Sequence, residues 1–113
     1  MNCVVLSGNI TKDLELKKAN DTSVVSFAIG VTGSKEPNFV NIVAFGKVAE
    51  NVAKYCKKGS KINVKGYLRS RSYEDKDKNK RYITEVVADN YNGIEFVNTK
   101  MNEPTVDENL FVD

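Results

Sequence analysis

A period of two recurs in the apolar residues along most of the chain, and a helical period occurs once. Asn2 to Ile10 is rich in β-formers but alternates imperfectly, and Ser7-Gly8-Asn9 interrupts it where a bulge or a strongly bent strand fits. Leu14 to Leu16 is expected to continue this first strand, and Lys17-Lys18-Ala19-Asn20-Asp21 reads as a turn, Asn and Asp being tolerant of left-handed geometry. From Ser23 to Thr32, Val25, Phe27, Ile29 and Val31 alternate with Ser26, Ala28 and Gly30, the pattern of a half-buried strand. Gly33 to Pro37 is a loop by composition, and Asn38 to Phe45 forms the third strand. Gly46 breaks it. Lys47 to Lys58 then carries Val48, Val52 and Tyr55/Cys56 at i, i+4 and i+7/8, which predicts the single helix. Glu50 near its first turn and Lys57-Lys58 in its last turn suit the macrodipole, and Gly59 supplies the stop. Ser60 to Tyr73 is a fourth strand, Glu74 to Lys80 a charged turn and Arg81 to Ala88 a fifth strand, with extended structure resuming over Tyr91 to Val97.

The order strand, strand, strand, helix, strand, strand is that of an OB-fold, an all-β five-stranded Greek-key barrel with one short helix between strands three and four. Residues 1–98 are read as this one domain, the usual count for 113 residues, and residues 99–113 as a short disordered acidic tail without periodicity. A small barrel has little interior. The apolar edge of Asn2 to Leu6 therefore predicts pairing with a second copy, in a homo-oligomer.

Composition narrows the function classes. No apolar run approaches the roughly 18 residues of a membrane span, and Cys3-Val4-Val5-Leu6 stops at Ser7-Gly8 without a secretory pattern, so a cytoplasmic chain is expected. Histidine is absent, and Cys3 and Cys56 have no CxxC spacing, which argues against zinc or any other metal or cofactor and for two free, buried thiols. Without histidine, a general base would have to be a tuned carboxylate or lysine, and no motif locates one; an enzyme is not expected. The net charge of +2 hides a segregation: residues 1–53 balance five cations with five acids, residues 54–82 hold eleven cations against three acids, and residues 83–113 hold one cation against seven acids. The middle of the chain attracts polyanions.

That middle also carries the candidate chemistry. Lys61, Asn63, Lys65, Tyr67, Arg69, Arg71 and Tyr73 share one face of the fourth strand, while Ile62, Val64, Gly66, Leu68 and Ser70 share the other, which reads as core. Phe39, Val43 and Phe45 fall on one parity of the third strand. Phe39, at the strand's start, is expected to be exposed; Phe45 fits either the core or the outer surface, because both faces of its strand are apolar. Cations for phosphates and rings for unstacked bases are the requirements of single-stranded nucleic acid.

Five blocks in this order resemble the bacterial and phage single-stranded DNA-binding proteins: Val4-Val5-Leu6-Ser7-Gly8-Asn9, Val43-Ala44-Phe45-Gly46-Lys47-Val48-Ala49-Glu50, Tyr55-Cys56-Lys57-Lys58-Gly59-Ser60, Val64-Lys65-Gly66-Tyr67-Leu68-Arg69-Ser70-Arg71, and Tyr82-Ile83-Thr84-Glu85-Val86-Val87. The resemblance runs from Met1 to about Asn98. It implies base stacking on Phe39, Phe45 and Tyr73, phosphate contacts from Lys47, Lys58, Arg69 and Arg71, and a homotetramer that protects single-stranded DNA during replication, recombination and repair. The family's fourth stacking position falls near Lys35, in a loop that is short here. The family's tail, which ends in Pro-Phe and recruits replication and repair proteins, is matched only by Asp107, Glu108, Leu110 and Phe111, followed by Val112-Asp113. An alternative reading on the same fold is a primosomal or replication-assembly module with weak DNA binding and no functional tail.

Overall fold

A computed structural model describes residues 1–33, 35–36 and 38–97. Its elements are β1 (Val4–Ile10), β2 (Lys17–Ala19), β3 (Thr22–Val31), β4 (Asn38–Phe45), α1 (Gly46–Tyr55), β5 (Lys61–Glu74), β6 (Lys80–Ala88) and β7 (Ile94–Phe96). The sheet runs β1-β3-β4-β6-β5, and β5 returns to pair with β1, which closes the barrel. All pairings are antiparallel except β4 with β6, which touch in register only at Ile42↔Val86 and Val43↔Val87. This is the OB-fold architecture, with the helix between the third and fourth barrel strands.

The inward parity of each strand builds the interior. Ile10, Ile29, Ile42, Ile62, Val64 and Val86 are at most 2% exposed, and Ala49 and Val52 of α1 join them from one end. Helix α1 rests on β3 and β4. One polar contact ties it there: the Ser23 hydroxyl donates to Glu50 Oε2 at 2.8 Å.

Several local details depart from the sequence reading. Residues 11–16 form no strand, and the extended segment that follows is β2, laid on β3 at Lys17↔Val24 and Ala19↔Thr22. Only Asn20 and Asp21 make the turn. Both have positive φ, 51° and 68°, the geometry of a two-residue type I′ connection whose twist matches its strands. Helix α1 ends at Tyr55 rather than Lys58, where Cys56 turns extended at φ −117°. Gly59 therefore belongs to the turn into β5, its N–H bonded to the Ile10 carbonyl, and Lys57 and Lys58 lie beyond the helix. Glu50 lies past the first helical turn, and its partner is Ser23 rather than the macrodipole. After Ala88 the chain turns through 90–92 before the short β7 pairs with β5. Cys3 is exposed, contrary to the expected burial; Cys56 is half-buried, and burial pushes its thiol pKa up.

Two glycines let backbones meet. At Gly8, β1 passes from β5 to β3, and a Cβ there would stand 2.5 Å from the Gly30 carbonyl oxygen. At Gly66, β5 lies between Val4 of β1 and Ala88 of β6, and a Cβ would fall inside the Val87 carbonyl. Neither obstacle is a side chain that can swing aside. Gly66→Ala is expected to destabilise the fold by about 1–3 kcal/mol, the usual penalty of overpacking a fixed interior. Urea denaturation checks this, and an unchanged midpoint would mean that the three strands yield more easily than their register implies.

Candidate nucleic-acid interface

Phe39, Asn41, Val43 and Phe45 share the β4 parity opposite the barrel interior and pair with Gly30, Ala28, Ser26 and Val24 of β3, although Val43 is itself buried, at 4% exposure. These β3 partners are small except for Val24, so the β4 side chains stand above a low floor. Phe39 is 66% exposed. Its ring lies across Gly30, where a Cβ would sit 3.6 Å from ring carbon Cε1, and a larger residue would lift the ring off the sheet. Phe45 is half-buried and is capped by Arg69, whose Cζ lies 5.7 Å from the ring centre. The two rings thus sit at opposite ends of one strand.

On the facing wall, Tyr67, Arg69, Arg71 and Tyr73 of β5 pair with Val87, Glu85, Ile83 and Arg81 of β6. Beyond their short parallel contact β4 and β6 part, and a groove of about 310 Å³ opens between the walls. Ser26, Ala28, Asn41 and Val43 line one side, Arg71, Ile83 and Glu85 the other, and Lys12 also borders it. Past Ser70 almost every residue of the β5–β6 pair is exposed on both faces, so this ribbon projects from the barrel and carries Tyr73, 48% exposed, outward. Leu68, expected in the core, is 49% exposed at the rim where the barrel ends, and its backbone is held by the Asn2 side chain.

The residue absent from the sequence reading is Glu85. It is 2% exposed, yet its Oε2 accepts hydrogen bonds from Arg69 Nε at 3.0 Å and Arg71 Nε at 2.9 Å, and a further one from Arg69 Nη2. Burial pushes its carboxyl pKa up, but the bonds and charges of Arg71 and Arg69 outweigh burial and hold it below the ordinary carboxylate value. The arginine side chains remain 34% and 46% exposed, which leaves guanidinium N–H groups free to meet a phosphate.

The other basic candidates are not brought into this groove. Lys47 lines a separate cleft with Tyr91 and Phe96. Lys58 is exposed in the turn after α1, and Lys65 borders a cleft with Val5, Asn63 and Glu95 on the β1–β5–β7 side. Tyr67, 41% exposed, stands opposite Val87 on the arginine wall. Lys35 is exposed beyond β3. The tail positions Asp107, Glu108, Leu110 and Phe111 lie outside the described residues. Among the described residues no group of three or more Cys, Asp or Glu is placed to hold a metal ion.

A carboxylate with a lowered folded-state pKa stabilises fully above its ordinary value, and that stabilisation fades as pH falls through the lowered one. Glu85→Gln is therefore expected to lose about 1–2 kcal/mol at neutral pH, less than a fully buried charged bond because both arginines reach water. The gap to the native chain should narrow in strong acid. Urea denaturation across the acid range checks it, and a gap independent of pH would count against the ion pair.

Residues 1–94 match the profile of the single-strand binding protein family. A single-stranded DNA-binding protein of Clostridium tetani is 43% identical over 106 residues, which cover 87% of this chain and 73% of that protein. Single-stranded DNA-binding protein 3 of Clostridium acetobutylicum is 40% identical over 96% of this chain and 81% of its own length. Single-stranded DNA-binding protein 1 of Staphylococcus aureus is 40% identical, with 91% of this chain and 71% of that protein covered. On a closed barrel with exposed rings and paired arginines beside an open groove, these matches establish that the chain belongs to the single-strand binding protein family.

Proposed function

We propose that this protein binds single-stranded DNA without regard to sequence and covers it during replication, recombination and repair. The observation that supports this reading is the pair of strands that flank the open groove: β4 bears Phe39 and Phe45 on one parity, and β5 bears Tyr67, Arg69, Arg71 and Tyr73 on one parity, with Arg71 lining the groove itself. Rings stack on any base, and guanidiniums meet any phosphate. A duplex hides its bases from such rings. The task is binding rather than catalysis, and it is carried out in the cytoplasm of a bacterium, or of an infected host for a viral chain. No helix among the described residues is long and apolar enough to cross a membrane.

Phe39 and Tyr73 act as stacking platforms from the two walls, Phe45 as a half-buried platform whose upper face Arg69 shares, and Arg69 and Arg71 as the phosphate contacts nearest them. Lys47, Lys58 and Lys65 extend the basic path beyond the groove. Residues 1–98 form the binding domain, and residues 99–113 a separate acidic tail that competes with DNA for the same cations or docks replication and recombination proteins through Leu110 and Phe111. The protein assembles as a homo-oligomer of the tetrameric kind. On one edge β1 pairs with β5 from Val4 to Asn9, whereas on the other it meets β3 only from Gly8 to Ile10. Val4 to Leu6 thus present a partly open edge, with Val5 68% exposed, that a second copy can cover across a two-fold axis.

Stacking contributes about 1–3 kcal/mol per base, so Phe39→Ala and Tyr73→Ala are each expected to weaken oligo-dT binding by roughly one to two decades while the fold survives. Fluorescence titrations at several salt concentrations check this. They should show a log–log slope of about −0.7 per neutralised phosphate, and that slope should be the same for the ring variants as for the native chain. Unchanged affinity in Tyr73→Ala, or binding indifferent to salt, would contradict the assignment.

A further inference from the structure

A second group of exposed rings lies away from the groove. Tyr91 is 83% exposed, Tyr55 62% and Phe96 42%, and the Tyr55 and Phe96 ring centres are 5.9 Å apart. Tyr91 and Phe96 border a cleft of about 180 Å³ between α1 and the loop that leads into β7, where Lys47, Asn51 and Asn90 also point. Among the described residues no carboxylate lines this cleft. Beside Phe96, outside the lining itself, Lys54 Nζ lies 5.2 Å from the centre of the Tyr55 ring. The lining therefore combines rings, side-chain amides and one ammonium group, that of Lys47. Rings can stack bases, amides can donate to and accept from base edges, and an ammonium can neutralise a phosphate. An acidic peptide would use the cations but leave the amides and the open face of Tyr91 without a matching group.

Position connects the cleft to the groove. Lys47 follows Phe45, the last ring of the β4 face, by two residues, and the chain between them turns from β4 into α1. A strand that has crossed the roughly 20 Å of β4 from Phe39 to Phe45 meets the cleft by continuing past the start of the helix. We propose that the cleft between α1 and the loop before β7 is a second station for the same single strand, with bases stacked on Tyr91 and Phe96 and the adjoining phosphate on Lys47. The inference rests on the reading of the protein as a single-strand binder.

The two stations separate by length of DNA. A dT oligomer of about 6 nucleotides occupies the groove alone, whereas one of about 30 exceeds the roughly 4–16 nucleotides that one such barrel holds and reaches the cleft. Tyr91→Ala should weaken binding of the long oligomer about tenfold and leave the short one unchanged, while Tyr91→Phe, which keeps the ring, should bind both like the native chain. Tyr91 is so exposed that its loss should spare the fold, and the short oligomer reports on that directly. Native affinity of Tyr91→Ala for both lengths would overturn the second station. An equal loss with both lengths would overturn it as well, since Tyr91 would then act on the groove or on the fold. A changed native mass with affinity retained would assign the rings to contact between copies. If the native chain bound neither length, the single-strand reading itself would fail, and the second station with it.

Discussion

A carboxylate almost wholly removed from water is tolerable in a folded chain only when cations close on it, and at Glu85 two arginines do so on a single oxygen. The pairing crosses from β6 to β5 at the level where β4 and β6 stop touching. It therefore stands in the wall of the groove, at the point where no backbone hydrogen bond joins that wall to the opposite one. Arg69 serves twice, bonding Glu85 and lying over Phe45, so one side chain fixes both a cation and a ring. Arg71, one strand repeat further along, extends the same anchoring toward the projecting ribbon.

This arrangement changes how the basic middle of the chain acts. Eleven cations against three acids between residues 54 and 82 suggest a strong field, but Glu85 neutralises part of it at the wall of the groove. Of the lysines in this segment, Lys58 lies exposed in the turn after α1 and Lys65 borders a cleft on the β1–β5–β7 side, while Lys47, which precedes the segment, lines the cleft beside α1. The recognition proposed above rests less on net charge than on oriented guanidinium N–H groups beside accessible ring faces. The ribbon that carries Tyr73 has little burial on either side beyond Ser70 and few contacts to hold it rigid, which suits a wall that must accommodate any base.

The fold was largely legible in the sequence because its strands bury one face and alternate cleanly. The parities of Val25/Phe27/Ile29 and of Ile62/Val64 place the core, and the isolated helical period of Val48/Val52 places α1. Boundaries were less legible. Lys17 to Ala19 has no apolar alternation because β2 is exposed on every residue and exists only as a hairpin partner of β3, while Leu68 has core parity but lies where the barrel stops. Of the candidate site, Phe39, Arg69, Arg71 and Tyr73 could be found from parity alone. Glu85 could not be ranked by composition, since a glutamate between apolar residues reads as an ordinary outward position. Only the cross-strand register, which puts it opposite Arg69, reveals that its face is covered. Lys65 shows the converse: it shares the parity of Tyr67 and Arg69 in sequence, yet it borders a cleft on the β1–β5–β7 side of the barrel.

The central claim is that rings and guanidiniums on one open face select unpaired bases. It is tested most directly by competing an unlabelled DNA duplex against labelled oligo-dT of equal length at physiological salt. The account predicts that the native chain retains the single strand against a large molar excess of duplex, because paired bases offer the rings no face to stack on. Displacement at comparable concentrations would contradict it, and would reduce the interface to a basic surface that holds any polyanion.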